Sequence, residues 1–174
     1  MDKQEVQEHL DQKKVVIFTD GSCLNNPGPG GYGAVLMFGK HEKELYDGLQ
    51  LTTNSRMEIL AVVAALEALK KPCSVIIVSD SKYVVDAVQK RWVYKWKANR
   101  WRRNKKDWAE NADLWMRVVE LCDMHQVEFR WVKGHAGNFG NERCDELAKM
   151  GATGDDLKKD ENYESGQTTN PLQT

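Results

Sequence analysis

The chain has 174 residues, of which 41% are hydrophobic and 29% are charged, and its formal net charge is −1. This composition suits one globular domain and excludes a disordered or membrane-embedded protein. No apolar run approaches the roughly 18–20 residues of a membrane span, and the polar N-terminus lacks the apolar stretch of a secretory signal. Four widely separated cysteines without a C-x-x-C pair favour free thiols and argue against a zinc site. We therefore expect a cytoplasmic protein that does not associate with membranes.

The hydrophobic pattern predicts, in chain order, three strands, a helix, a strand, two helices, a strand and a last helix. The first strand has a continuous apolar run, typical of burial on both faces, and a turn rich in Gly and Pro follows it at Asn25–Gly31. The predicted fold is α/β, with one mixed five-stranded sheet flanked by helices and with later strands parallel to the first. The predicted strands are Lys14–Ser22, Gly31–Phe38, Lys43–Leu51, Ser74–Ser79 and Val127–Val132, and the predicted helices are Asn54–Lys70, one beginning near Ser81, Ala112–His125 and Asn141–Met150.

The chain divides into three parts of different composition. Residues 1–14 form a polar N-terminal extension, residues 15–153 a folded domain, and residues 154–174 a polar tail that we expect to be disordered. Within the domain, a segment at about residues 89–107 contains nine basic residues and one acid, while the rest of the chain is acidic. Its cations alternate with tryptophans, which favours a nucleic-acid-binding surface. The alternative is a solvated basic helix whose Trp92 and Trp96, four residues apart, pack against the core.

Four carboxylates lie at positions from which they can converge. Asp20 and Asp80 follow two predicted strands, Glu58 lies in the first turns of a helix, and Asp145 lies in the last helix. Sites in open α/β sheets form at the carboxyl ends of strands, and clustered carboxylates repel unless a hard divalent cation such as Mg²⁺ compensates them. Each acid also has an ordinary interpretation: a turn residue for Asp20, a capping box with Ser55 for Glu58, a helix cap for Asp80 and a surface acid for Asp145.

Six motifs occur in order along the chain, namely Phe18-Thr19-Asp20-Gly21-Ser22-Cys23, Asn26-Pro27-Gly28-Pro29-Gly30-Gly31-Tyr32-Gly33, Thr53-Asn54-Ser55-Arg56-Met57-Glu58, Ser79-Asp80-Ser81, Trp131-Val132-Lys133-Gly134-His135-Ala136-Gly137 and Asn141-Glu142-Arg143-Cys144-Asp145-Glu146-Leu147-Ala148. In identity, order and spacing they resemble the bacterial type 1 ribonuclease H family. The resemblance covers about Val15–Ala152, which is nearly the whole chain apart from both ends.

The resemblance implies a ribonuclease H-like fold over residues 15–153, with residues 89–107 as its basic handle. It implies an endonuclease that hydrolyses the RNA strand of RNA–DNA hybrids by a two-metal-ion mechanism, leaving 5′-phosphate and 3′-hydroxyl ends. The family's metal-binding carboxylates match Asp20, Glu58, Asp80 and Asp145, which would hold two Mg²⁺ ions, or Mn²⁺ in their place. His135 matches a histidine on a mobile loop that is thought to assist proton transfer or product release.

The resemblance also implies a substrate-binding set that distinguishes a hybrid from duplex DNA. It assigns minor-groove contacts to Cys23, Asn26 and Asn54, a DNA-phosphate pocket to Thr53 and Asn111, and a DNA-binding channel in the handle to Trp92 and Trp96. The chain departs from several relatives at Leu51, Ser55 and Lys82, which bears on phosphate binding and hybrid affinity. We expect a monomer. The alternatives are a DNA-directed nuclease or a non-catalytic hybrid-binding module on the same fold.

Overall fold

The computed structural model describes residues 1–134 and 136–169. Its elements follow the predicted order, with a further helix at each end and three helices, rather than the predicted two, between the last two strands. The bounds are α1 Lys3–Asp11, β1 Val15–Cys23, β2 Gly28–Phe38, β3 His41–Thr52, α2 Asn54–Glu67, β4 Ser74–Ser79, α3 Lys82–Gln89, α4 Trp92–Ala98, α5 Ala112–Met124, β5 Gln126–Trp131, α6 Phe139–Ala152 and α7 Glu161–Glu164. In the described part of the chain, none of the helices has the length and apolar character that crossing a membrane requires.

The strands form one sheet in the order β3-β2-β1-β4-β5. The β1–β2 and β2–β3 pairs are antiparallel, whereas β4 is parallel to both β1 and β5. Alternate residues of β1 enter two core clusters: Ile17 packs with α2, α3 and α5, and Phe18 packs with α1 and α6. Burial on both faces explains the continuous apolar run of β1. The predicted mixed five-stranded sheet flanked by helices is confirmed.

The Gly-rich segment is a strand from Gly28 onward, so the predicted turn at Asn25–Gly31 is wrong over its second half. The glycines allow α6 to lie very close to the sheet. A Cβ atom on Gly31 would be 2.1 Å from the Ala148 carbonyl oxygen, and one on Gly48 would be 2.0 Å from the Gly151 carbonyl oxygen. Close backbone approach, rather than chain reversal, is therefore what this run of glycines provides.

The N-terminal segment contains α1, which the sequence analysis treated only as part of a polar extension. Asp2 and Glu5 form a reciprocal capping box at its start. Val6 and Leu10 are its buried residues, and they pack with Phe18 on one face of the sheet. Two apolar side chains spaced i, i+4 are enough to anchor a helix whose other residues are polar.

The expectation that residues 154–174 are disordered is wrong for residues 154–169. The Lys158 backbone pairs with β3, because its N–H donates to the Gly48 carbonyl at 3.0 Å and its carbonyl accepts from the Gln50 N–H at 2.7 Å. Asp160 is buried and ion-paired with Arg56. Backbone pairing and one buried ion pair order the segment, and a composition-based argument does not detect either. Residues 170–174 lie outside the described residues.

Candidate active site

The four predicted carboxylates line one polar cleft of about 400 Å³. The cleft lies beside the ends of β1 and β4, below the start of α2 and along one face of α6. Among the residues that the structure describes, its lining consists of acids, amides and a glycine. The residues are Asp20, Gly21, Glu58, Asp80, Asn138, Asn141, Glu142, Asp145 and Glu146.

Parallel pairing of β1 with β4 brings Asp20 and Asp80 to the same end of the sheet. Thr19 pairs with Ser79 in the register of these two strands, so the two aspartates come at equivalent positions, one residue later. Glu58 is presented by α2 and Asp145 by α6. The prediction that strand ends and two helices converge on one acidic site is therefore consistent with the geometry.

The ordinary interpretations of two of these acids fail. Thr53 caps α2 by accepting a hydrogen bond from the Arg56 N–H at 3.2 Å, so Ser55 and Glu58 form no capping box there. Ser81, rather than Asp80, caps α3 and accepts from the Val84 N–H at 3.3 Å. The Ser81 hydroxyl also donates to Glu58 Oε2 at 2.6 Å, which orients this carboxylate toward the cleft.

Electrostatics in the cleft favour a bound cation. Burial, followed by the charge of Asp80, raises the pKa of Asp20 from 3.8 to about 7, and Asp145 and Glu58 add to this effect. Burial also raises the pKa of Glu58, against the opposing hydrogen bond from Ser81. It is therefore energetically unfavourable to keep these carboxylates ionised, and a bound hard divalent cation would offset this unfavourable free energy.

The carboxylates do not enclose an ion by themselves. Among the described residues, no three His, Cys, Asp or Glu side chains are arranged closely enough to hold a metal. Asp145 Oδ2 accepts from Lys149 Nζ at 2.7 Å, in an exposed pair along α6. An open acidic cleft fits Mg²⁺, which keeps several water ligands and is typically bound by one or two carboxylates together with substrate phosphates.

The α6 face of the cleft contains residues that the sequence analysis did not assign. Asn141 and Glu142 precede Asp145 by four and three residues, so the helix places them on the same face. Asn141 is only 6% exposed, and neither polar atom of its side chain has a hydrogen-bond partner among the described residues. Their spacing of four and three residues from Asp145 is the sequence feature that could have identified them. His135 lies outside the described residues, and its role stays a prediction.

The structure brings the three predicted minor-groove residues together. The Cys23 N–H donates to Asn54 Oδ1 at 2.7 Å, and the Asn54 N–H donates to Asn26 Oδ1 at 3.2 Å. These bonds join the end of β1, the following loop and the start of α2. Asn26 and Asn54 therefore also hold the backbone locally, as asparagine side chains commonly do at turns and helix starts.

Thr53 and Asn111, the predicted phosphate-pocket residues, are both bonded to Arg56. Thr53 Oγ1 accepts from the Arg56 backbone N–H, and Asn111 Oδ1 accepts from Arg56 Nη1 at 3.3 Å. Asn111 has a left-handed backbone, with φ of 57°, immediately before α5. Asparagine tolerates this conformation better than most residues, which suits it to the position.

The handle combines both interpretations of its tryptophans. Trp92 and Trp96 are partly buried against the main core, and they also line an open pocket of about 390 Å³ with Tyr83, Arg103 and Glu110. Two cations lie at this aromatic surface, since Arg103 lines the pocket and Lys90 Nζ is 5.4 Å from the centroid of the Trp92 ring. Aromatic rings with neighbouring cations are suited to nucleic-acid binding.

The fold and the acidic cleft define a class of metal-dependent nucleases, and comparisons with known proteins specify the family. A family model described as RNase H matches residues 12–153. The chain is 58% identical over 152 residues to ribonuclease H of Syntrophus aciditrophicus (strain SB), which covers 87% of this chain and 88% of that protein. It is 52% identical over 153 residues to ribonuclease H of Rippkaea orientalis, covering 88% and 94%. This chain belongs to the RNase H family, and the resemblance seen in its motifs is confirmed.

Solved structures agree with this assignment. The crystal structure of LC9-RNase H1, a type 1 RNase H with the type 2 active-site motif, is 30% identical with a TM-score of 0.72, covering 90% of this chain and 74% of that one. The solution structure of the PFV RNase H domain is 29% identical with a TM-score of 0.68, covering 80% and 94%.

Proposed function

We propose that this protein is an endonuclease that hydrolyses the RNA strand of RNA–DNA hybrids, leaving 5′-phosphate and 3′-hydroxyl ends. Family membership supports this reaction, and a two-metal-ion mechanism is the general property of the family. The observation that carries the proposal for this chain is the convergence of Asp20, Glu58, Asp80 and Asp145 on one cleft.

The residues of the cleft would hold Mg²⁺, with Mn²⁺ as a chemically similar substitute. Two bound divalent cations would activate a water molecule and stabilise the leaving oxygen of the cleaved phosphodiester. Asp20 would help to hold both cations, as the family resemblance implies, and their charge would offset the effect of Asp80, Asp145 and Glu58, which all raise its pKa. Asp145 would serve the water side, and Glu58 and Asp80 the leaving-group side. We propose that His135 assists proton transfer or product release.

Substrate selection would come from groups outside the cleft. A protein that recognises a hybrid has to contact 2′-hydroxyls, which both donate and accept hydrogen bonds, and amide and backbone groups can match this. We propose that Cys23, Asn26 and Asn54 provide these contacts, since hydrogen bonds link them into one surface beside the start of α2. Trp92 and Trp96 would bind the DNA strand along the handle.

We propose that the protein acts as a monomer in the cytoplasm. The four carboxylates assigned to the metal site converge on one cleft within this chain. The cysteines of the described residues are free thiols, which fits a reducing compartment.

A cleavage assay on labelled hybrid, duplex DNA and duplex RNA, with Mg²⁺ and with EDTA, tests the proposal. We expect cleavage of the hybrid RNA strand with Mg²⁺, and loss of this cleavage in Asp20→Asn. The control is Asp11→Asn, which changes an exposed carboxylate on α1 and should cut as the parent does. Comparable cleavage of duplex DNA would favour a DNA-directed nuclease. Metal-dependent cleavage by Asp20→Asn at the parent's rate would contradict the assigned site.

A further inference from the structure

A buried ionic network joins the C-terminal segment to the predicted phosphate pocket. Arg56 is 1% exposed, and its guanidinium is bound by two carboxylates. It donates to Asp113 Oδ1 and Oδ2 at 2.9 and 2.7 Å, and to Asp160 Oδ2 and Oδ1 at 2.7 and 2.9 Å. Bidentate pairs fix a guanidinium in both position and plane. Arg56 thus has almost no freedom to move while both acids are present.

The second carboxylate of this network comes from outside the residues matched by the family model. Asp160 follows residue 153, where that match ends, and lies just before α7. Burial disfavours its charge, but the hydrogen bonds from Arg56 and Thr52 outweigh burial and lower its pKa. Asn162 of the same segment donates to Asp113 Oδ2 at 3.0 Å. The C-terminal segment therefore supports both acids that bind Arg56.

The network ends at Asn111. One guanidinium nitrogen, Nη1, donates both to Asp113 and to Asn111 Oδ1, so the position of Arg56 determines where the Asn111 acceptor rests. Because Oδ1 is held by Arg56, the orientation of the Asn111 amide plane depends on the position of the guanidinium. This plane sets the direction of the N–H groups, which are the donors that a phosphate oxygen requires.

We propose that Asp160 is a positioning residue for substrate binding, which holds Arg56 so that Asn111 is oriented to bind a phosphate of the DNA strand. The inference rests on the proposed function, because it takes Asn111 to be a phosphate ligand. Asp160 touches neither the cleft nor the reacting atoms, so it affects substrate affinity and leaves the chemical step unchanged.

The test compares the parent with Asp160→Ala, Asp160→Asn and Asn111→Ala. Dissociation constants for the hybrid are measured in EDTA, and kcat and KM with Mg²⁺, well below the lowest Tm of the set. A weakened charge-assisted hydrogen bond corresponds to a change in affinity of about tenfold. We expect Asp160→Ala to raise Kd and KM by about that factor, with kcat within about twofold of the parent. Asp160→Asn keeps one acceptor for Arg56 and should recover part of the affinity.

A second readout separates positioning from general destabilisation. Hybrids carrying one uncharged methylphosphonate at successive DNA linkages show which phosphate the parent requires. A methylphosphonate at that linkage should reduce affinity less in Asn111→Ala and in Asp160→Ala than in the parent. The loss of affinity caused by a methylphosphonate at any other linkage should be the same in all three proteins. The matched control is Lys158→Ala, which removes an exposed ion pair with Asp47 from the same segment and should keep the parent's pattern.

Two results would overturn the inference. One is an Asp160→Ala protein that binds the hybrid as the parent does. The other is a loss of affinity in which the single-linkage penalty remains at full size, because the segment would then support only the fold. A parent that binds hybrids in EDTA but does not cut them with Mg²⁺ would contradict the proposed function, and the binding comparison would still decide the role of Asp160.

Discussion

Removing one charge from the acidic cleft should stabilise the metal-free protein. The charged form of Asp20 is disfavoured there, because burial and the neighbouring Asp80 raise its pKa to about 7. The variant Asp20→Asn keeps the shape of the side chain and removes the charge. It should therefore abolish cleavage and, in EDTA at pH 8, unfold at a higher temperature than the parent.

The magnitude follows from the two pKa values. The pKa of Asp20 is about 7 when folded, against an ordinary value of 3.8, so its full contribution to stability is present below pH 3.8 and is lost as the pH rises through 7. At about 1.4 kcal/mol per pKa unit, the limit of this loss is roughly 4 kcal/mol. Solvent and neighbouring acids relax around the charge, so we expect a gain of about 1–3 kcal/mol, equivalent to several degrees in Tm.

Thermal or urea unfolding of both proteins in EDTA, at pH 4 and at pH 8, measures the effect. The difference in stability should be clear at pH 8 and should nearly disappear at pH 4, where Asp20 is protonated in the folded parent. Adding Mg²⁺ at pH 8 should stabilise the parent more than the variant, since binding to the folded state alone raises stability. An Asp20→Asn protein no more stable than the parent at pH 8 would refute the electrostatic account of the cleft.

Three other changes test separate parts of the structure. Gly140→Ala should destabilise the protein by about 1–3 kcal/mol, because a Cβ atom there would lie 2.3 Å from the Phe18 ring; its control in thermal unfolding is Gly154→Ala, and equal Tm values would contradict this packing. Trp96→Ala should raise the hybrid Kd in fluorescence anisotropy by about 5–30-fold, through loss of a stacking surface, and unchanged affinity would exclude the handle pocket. Deleting residues 154–174 should cost about 2–3 kcal/mol in urea unfolding, because Arg56 loses two charge-assisted hydrogen bonds, and an unchanged transition would argue against the buried network.

The sequence predicted those features that depend on local periodicity and on strand ends. The apolar runs of β1 and β4 identified two central strands, and the acids that follow these runs, Asp20 and Asp80, marked the cleft. The capping pattern of Ser55 with Glu58 was misleading, since the helix begins one residue before Ser55 and is capped by Thr53. Moving the helix cap by two residues, from Ser55 to Thr53, decides whether Glu58 takes part in a capping box or faces the site. Helix ends are the boundaries that a sequence defines least well.

The features that the sequence did not predict depend on contacts between distant residues. The Gly28–Gly31 run is part of a strand because it pairs with β1 and β3, and α6 lies against Gly31; the local pattern indicates none of these contacts. The order of residues 154–169 depends on Asp160 meeting Arg56, which precedes it by 104 residues. A polar composition indicates disorder only if the polar side chains have no buried partners in the fold. Such partners can be identified only from the three-dimensional structure.

The start of α2 provides side chains of opposite charge to two different sites. Arg56 and Glu58 are two residues apart, which places them about 200° apart around an α-helix. Arg56 therefore enters the buried network with Asp113 and Asp160, while Glu58 faces the acidic cleft. A Cβ atom on Gly21 would lie 2.4 Å from the Glu58 backbone nitrogen, so β1 and α2 are in backbone contact at this point. Repulsion between the carboxylates of the cleft favours moving Glu58 away from the others. The buried ion pairs on the opposite face of α2 and its backbone contact with β1 hold the helix in place and oppose this movement.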